Sequence, residues 1–344
     1  EDDEPREYGA EVDYYSGLDP PYAPKNGLFE TVEELLLVRG VTPQLLFGAD
    51  VNRNGLIDEN ESAQAAEFSD AASLSRGWAS LLTLHSMEQN NSSLGEPRIN
   101  LNMDDLQQLY DSLSLVFPAE WAVFIVAYRQ TDPYTGDDAG EAYSSGDLDL
   151  GQEAKRDFVQ VLDLVGAKVE VTFQGQEEPT VLQSPFGEDL ASMMTYMPTL
   201  MDFATVVDAA TIPGRININQ APREVLAGIP GMSDELLEQI ISGRSPEPEI
   251  DNPAHVHETW LLTEGLATLE EMRNLMPFVC AGGDVYRTQV VGFYDNGQAS
   301  ARLEVVLDAT QTPPRIVLWR DIDHLGRGFP FEVLGPAVGD VQLH

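Results

Sequence analysis

The sequence predicts an α+β protein: a mostly helical domain carrying two helix-hairpin-helix (SAM-like) repeats, together with a small antiparallel β-sheet. Three observations lead there. Apolar residues recur at helical spacing in several short stretches between Thr31 and Ala127 and again between Val225 and Ile241. The segment Arg98-Ile-Asn-Leu-Asn102 returns as Arg215-Ile-Asn-Ile-Asn219, each copy ahead of two amphipathic stretches. The chain then closes on β-rich runs punctuated by Asp295-Asn-Gly297, a strong hairpin signal.

In chain order, residues 1–28 are acidic and turn-rich, with Leu18-Asp-Pro-Pro21 favouring extended backbone. A helix is expected from Thr31, with Val32, Leu35, Leu36 and Leu37 apolar, Glu33 and Glu34 near its N-terminus, and Gly40 ending it. Thr42-Pro43 begins a second short helix. It leads into Asp50-Val-Asn52-Arg-Asn54-Gly55-Leu56-Ile-Asp58-Glu-Asn-Glu61, which matches the EF-hand calcium loop at every constrained position. A hard dication takes about six to eight oxygens, and a chain wound tightly round it supplies them from loop positions 1, 3, 5, 7, 9 and 12. Here these are the side chains of Asp50, Asn52 and Asn54, the backbone carbonyl of Leu56, the side chain of Asp58, and Glu61 as a bidentate clamp. Gly55 stands at the sharp turn. A further helix is expected with Trp78, Leu81, Leu82 and Leu84 inward.

Each repeat copy then offers a helix (Leu106, Leu109, Leu113; Val225, Leu226, Ile229), a break, and a second helix (Trp121, Phe124, Ile125; Leu236, Leu237, Ile240). Both close on an arginine, Arg129 and Arg244, suited to a helix C-terminus. Asn102 is placed to cap its helix and Pro222 to open the other. A weaker echo links Phe29-Glu-Thr-Val-Glu-Glu-Leu35 with Leu266-Ala-Thr-Leu-Glu-Glu-Met272. Residues 131–154 read as an acidic flexible loop, and Asp157–Val165 as a short helix. Lys168–Phe173 reads as a strand with Val169, Val171 and Phe173 on one face and Thr180–Leu182 as its partner. Residues 245–256 read as an exposed loop.

Charge and missing motifs limit the function. The net charge is −39 over 344 residues, with only three lysines, so the surface repels phosphate backbones and anionic headgroups. The turn of the second repeat presents Ser233-Asp-Glu235, two carboxylates where a nucleic-acid phosphate would sit. Nucleic-acid binding by the hairpin unit is therefore the alternative reading, and no nucleic-acid partner is expected. No G-x-S-x-G, H-E-x-x-H, P-loop or C-x-x-C occurs, and acidic pairs such as Asp104-Asp105 and Asp137-Asp138 are unremarkable in a chain with 58 acids, so the protein is read as no enzyme. His255 and His257 read as surface histidines, and the lone Cys280 as a buried structural thiol. The opening Glu1-Asp-Asp-Glu lacks a methionine and reads as the middle of a longer protein.

Five pieces together resemble the general secretion pathway protein K family, the large minor pseudopilin of type II secretion systems. They are Leu18-Asp-Pro-Pro-Tyr22 with Asn26-Gly and Thr31-Val-Glu-Glu-Leu-Leu-Leu-Val-Arg39-Gly; the Asp50–Glu61 loop; Gly77-Trp78 with Leu84-His-Ser86; Arg215-Ile-Asn-Ile-Asn219-Gln-Ala-Pro222; and the C-terminal strands. The calcium loop in this position is similar to planctomycete-type members. The resemblance implies a pseudopilin sheet and a large helical domain, assembly at the pseudopilus tip with I- and J-type minor pseudopilins, contact with exported cargo, and a place on the periplasmic side of the inner membrane. It implies calcium in the helical domain, carried over only to the six loop positions named above. The family's membrane-anchoring N-terminal helix is not seen in this sequence, so membrane contact is expected only through it, and the sheet face it leaves should be apolar. The family's disulfide cannot form with one cysteine. The expected division is 1–130 (calcium loop and first repeat), 131–154 (loop), 155–214 (short helix and strands of the pseudopilin-like sheet), 215–280 (second repeat) and 281–344 (β-meander).

Overall fold

The computed structural model describes residues 9–66, 74–142, 147–294 and 300–334. Helix and strand are mixed, and all sheets are small. The chain divides into two compact units. One holds residues 86–285 with 309–312; the other joins residues 1–85 to 286–308 and 313–344. The C-terminal strands thus share a unit with the N-terminal segment.

The larger unit contains the two repeat copies, built alike. In each, a two-residue strand enters and a helix pair follows. A later strand then pairs in parallel with the first. In the first copy β2 (Ile99–Asn100) is followed by helices Leu106–Val116 and Ala119–Gln130 and pairs with β5 (Ala204–Thr205). In the second, β7 (Ile216–Asn217) is followed by helices Arg223–Ala227 and Asp234–Gly243 and pairs with β8 (Val279–Cys280). The asparagines explain the shared motif. Asn100 Oδ1 accepts the N–H of Asn102, and Asn217 Oδ1 that of Asn219. These local turns end each strand after two residues. Asn102 does not cap its helix: it donates to Phe158 O, while Asp105 does the capping by accepting from Gln108 N. Asn219 likewise donates to His255 O and Ala281 O.

The closing arginines also differ from expectation. Arg129 does not serve a helix dipole at the surface. It is fully buried and reaches back to the carbonyls of Asn102 and Met103, besides pairing with Asp157. Arg244 does the same to Ala221 O. Each arginine therefore ties the end of the second helix to the head of the first. One core of Leu, Ile, Val, Phe and Met side chains runs through both copies, including Leu113, Phe124, Leu237 and Trp260.

The strand pair lies where the alternation places it. β3 (Lys168–Val171) runs antiparallel to β4 (Thr180–Gln183), and Val169, Val171 and Phe173 are all buried. This pair is a separate two-stranded sheet and does not join the C-terminal one. The 131–154 stretch is anchored at intervals: Glu141 exchanges backbone bonds with Val181 and Gln183, and Leu148 is buried. A fourth two-stranded pair, β1 (Met87–Gln89) with β6 (Thr211–Pro213), was not foreseen. The histidine reading is corrected too. His255 is buried, stacked on Trp260 at 4.1 Å and 2.7 Å from Glu264, so the 245–256 segment is not simply an exposed loop. Cys280 is buried as expected, and burial raises its thiol pKa far above the usual value.

In the smaller unit the C-terminal sheet has the order β11-β10-β9, made of β9 (Val285–Phe293), β10 (Ser300–Asp308) and β11 (Arg315–Asp321). The Asp295–Gly297 turn lies outside the described residues, as does the Glu1–Glu4 start. The segment from Val32 to Leu37 is a 3-10 helix where an α-helix was expected, too short between Thr31 and Gly40 to gain from packing. Glu34 folds back to accept the N–H of Thr31, and Glu271 does the same to Thr268, so the echo between these stretches is a shared N-terminal device. The Trp78 helix is a single 3-10 turn, Trp78–Ser80, and Leu82 and Leu84 are exposed.

That turn is held by a backbone-to-backbone contact. Gly48 has φ +62°, and a Cβ there would lie 2.2 Å from Ser75 O and 2.5 Å from Gly77 N. Gly48→Ala is expected to cost about 2–3 kcal/mol, from the left-handed backbone plus the forced separation. Gly55→Ala is the comparison: its φ is +80° but nothing lies within 4 Å, so only the backbone term of about 1 kcal/mol applies. Denaturant midpoints of the two variants read the difference, and equal losses would show that the Gly48–Gly77 contact carries no stability.

Candidate cation-binding loop

The short helix Pro43–Phe47, capped by Thr42 Oγ1 on Leu45 N, delivers the chain to Asp50. From there the backbone coils round its own side chains. Asp50 Oδ1 accepts from Asn54 N at 3.0 Å and Asp50 Oδ2 from Gly55 N at 2.9 Å. Asn52 Oδ1 accepts from Asn54 N, and Asn54 Oδ1 from Leu56 N at 2.7 Å. Gly55 takes the positive φ that lets the chain reverse. Glu61 closes the loop with both oxygens, Oε1 on Asn52 N and Oε2 on Asp58 N, each at 3.1 Å. Asp58 Oδ2 accepts from the amides of Asn52 and Asn54. The five side chains read from the motif are thus bonded within this loop, and of Leu56 the N–H takes part.

Asp50 is 5% exposed and Glu61 6%, and among the described residues neither forms an ion pair. Burial, and secondarily the charge of Glu61, raises the Asp50 carboxyl above its ordinary pKa, against the N–H groups of Gly55 and Asn54. Two buried carboxylates facing each other are costly unless a cation joins them. Among the described residues no three His, Cys, Asp or Glu side chains stand together as a metal cluster. The oxygens that the motif names come half from carboxylates and half from two amides and a carbonyl. That all-oxygen set of mixed charge suits a hard divalent ion and offers nothing soft for a transition metal.

The loop lies against the C-terminal sheet, a contact that sequence reasoning missed. Arg302 of β10 is fully buried and donates from Nη1 to Asn52 O at 2.8 Å and from Nη2 to Arg53 O at 3.1 Å. Gln289 of β9 accepts from Arg302 Nη2 at 2.6 Å and donates to Arg53 O at 2.9 Å. Asn54 Nδ2 donates to Gly328 O. Arg53, at φ +55°, lays its guanidinium 3.8 Å over the Phe47 ring and pairs with Glu33. Glu33 also pairs with Arg320, and Glu304 with both Arg320 and Arg287. Burial opposes the charge of Glu304, yet the two arginines hold its carboxyl below the ordinary value. No advance signal pointed to it: Arg302 shares the polar phase of its β run with Glu304.

Residues 1–47, the segment that leads into this loop, match the family model for type II secretion system (T2SS), protein K. No curated protein and no solved structure matches the chain. The match covers only those first 47 of the 344 residues. Over that segment the chain is similar to the protein K family. Among the described residues no helix is long and apolar enough to cross a membrane.

Proposed function

We propose that this protein is a structural, non-enzymatic minor pseudopilin of the K type. It assembles at the tip of a type II secretion pseudopilus, on the periplasmic side of the inner membrane, with I- and J-type pseudopilins as neighbours and exported protein as a further contact. The match over residues 1–47 carries this reading. The sheet supports it. Arg287, Gln289, Arg302 and Glu304 point to the face that meets the calcium loop. By the period of two, Tyr286, Val290, Val305 and Trp319 share the other face, where Val290 is 53% and Trp319 61% exposed. An apolar sheet face of that kind suits the N-terminal anchoring helix of the family. The two repeat copies are read as helix-hairpin-helix units used for packing, since Arg129 and Arg244 face inward.

In the same reading Asp50, Asn52, Asn54, Asp58, Glu61 and the Leu56 carbonyl hold one calcium ion. The ion neutralises the Asp50–Glu61 pair and fixes the chain between Phe47 and Ser62. Its role is structural: a single such loop in the sequence makes a paired-loop sensor a poor fit. The test is calorimetric titration with calcium, alongside melting with calcium or chelator. Saturation near 100 times Kd is expected to add about 3 kcal/mol, raising Tm by roughly 5–10 °C. Glu61→Gln should reduce affinity and the calcium-dependent shift together. Melting that is the same with calcium and with chelator would refute the calcium role. Co-purification with I- and J-type partners from the same genome tests the assembly role separately.

A further inference from the structure

The cation loop and the C-terminal sheet are joined by bonds from two residues the ion would use, Asn52 and Asn54, and from Arg53 between them. Asn54 is the clearest case. Its Oδ1 faces the loop interior, accepting from Leu56 N, while its Nδ2 donates to Gly328 O in the turn after β11. One planar amide therefore touches both. Asn52 and Arg53, at loop positions 3 and 4, give their carbonyls to Arg302, and Arg53 also gives its carbonyl to Gln289. Arg302 is in turn fixed at its other end. Its backbone N–H donates to Asp323, its Nη1 to Gly326 O at 3.4 Å, and its carbonyl accepts from Ile322 N at 2.9 Å. Gly328 lies so close that a Cβ there would be 2.3 Å from the Arg302 guanidinium carbon. The loop, β9, β10 and the 322–328 turn thus meet at a single buried guanidinium.

We infer that Arg302, with Gln289 and the Asn54–Gly328 bond, is a latch that makes cation binding in the Asp50–Glu61 loop and ordering of the C-terminal sheet one linked equilibrium. Arg302 is a positioning residue here; it does not reach the ion as a ligand, since a guanidinium has no lone pair to offer. It acts by orienting the backbone of positions 3 and 4, as outer partners of metal ligands do. Linkage is reciprocal: what the ion contributes to the order of β10 and β11, the latched sheet contributes to ion affinity. The consequence for a secretion component is that the sheet's apolar outer face is presented in its fixed form when the loop is filled. This inference rests on the calcium reading above.

The experiment is hydrogen exchange on the full chain, with calcium or chelator, combined with calorimetric calcium titration. Calcium is expected to slow exchange at the amides of residues 302–308 and 315–321 about as much as at 50–61, while those of β3 and β4 stay unchanged. Arg302→Leu is expected to lower calcium affinity about tenfold or more, the usual effect of removing an outer partner of a metal ligand. Should that variant fail to fold, Gln289→Leu removes one donor and one acceptor and should give a smaller loss in the same direction. Calcium binding with protection confined to residues 50–61, or unchanged affinity in both variants, overturns the latch while leaving the calcium site standing. Absence of calcium binding to the parent chain overturns both.

Discussion

Arg302→Leu should lower the stability of the calcium-free protein by about 3–5 kcal/mol, the summed cost of several buried acceptors left without their donors. Leucine fills much of the space but leaves Asn52 O without the 2.8 Å donor and Gln289 Oε1 without both of its arginine donors. Each buried acceptor stripped of its donor costs about 1–3 kcal/mol. One term runs the other way. Burial depresses the pKa of Arg302, so the charge is held there at some expense that leucine would not incur. The depression is opposed by the attraction of Asp50 and Glu304, and the count of bonds lost decides the sign. Arg302→Lys is the discriminating partner. An ammonium cannot serve two carbonyls and a side-chain amide in the planar arrangement of a guanidinium, so it should recover less than half of the loss. Chemical denaturation of the three proteins in chelator measures this. A lysine variant as stable as the parent would show that charge alone, without the fork of donors, holds the loop to the sheet.

The features that sequence showed in advance are those set by local chemistry. The tight winding of the chain from Asp50 to Gly55 is legible because the motif sets the order of its side chains, and the backbone bonds of Asn54, Gly55 and Leu56 follow from that order. Val169, Val171 and Phe173 are legible because alternation needs no partner to be seen. Features that depend on distant residues were hidden. Arg302 meets Asn52 across most of the chain's length, and an arginine inside a β run ordinarily marks a solvent face. The helix expected round Trp78 had the right apolar spacing, but the close Gly48–Gly77 contact holds that stretch to one turn. His255 looked exposed because its neighbours are Pro, Asp and Glu, yet Trp260 and Glu264, further along, enclose it. Asn102 and Arg129 had the right types for helix caps, and tertiary bonds to Phe158 O and Met103 O claimed them instead.

Arg215→Met is expected to have an effect of similar size in the other unit, and one that depends on pH. Arg215, which opens the second repeat, bonds Glu88 at 2.6 Å and Glu258 at 2.9 Å, with all three side chains largely shielded from water. Burial works against the arginine's charge, but Glu258 and Glu88 outweigh it and raise its pKa. Burial keeps the Glu88 carboxyl above its ordinary pKa even with Arg215 beside it. Removing the cation leaves two buried carboxylates with no ion-pair partner among the described residues, a loss of about 3–5 kcal/mol at neutral pH. The sign of the pH effect follows. A carboxyl whose folded pKa exceeds its unfolded value binds its proton more tightly when folded, so stability falls as pH rises from the ordinary glutamate range through the folded pKa. Without Arg215 the Glu88 pKa moves higher still, and the variant should regain stability relative to the parent as pH is lowered through that range. Adding Glu88→Gln and Glu258→Gln should restore part of the loss at neutral pH, since a neutral amide can be buried with hydrogen bonds alone. Urea denaturation at several pH values reads both effects. A deficit that stays constant with pH, or one that the added glutamines do not reduce, would mean that Arg215 contributes packing and not charge.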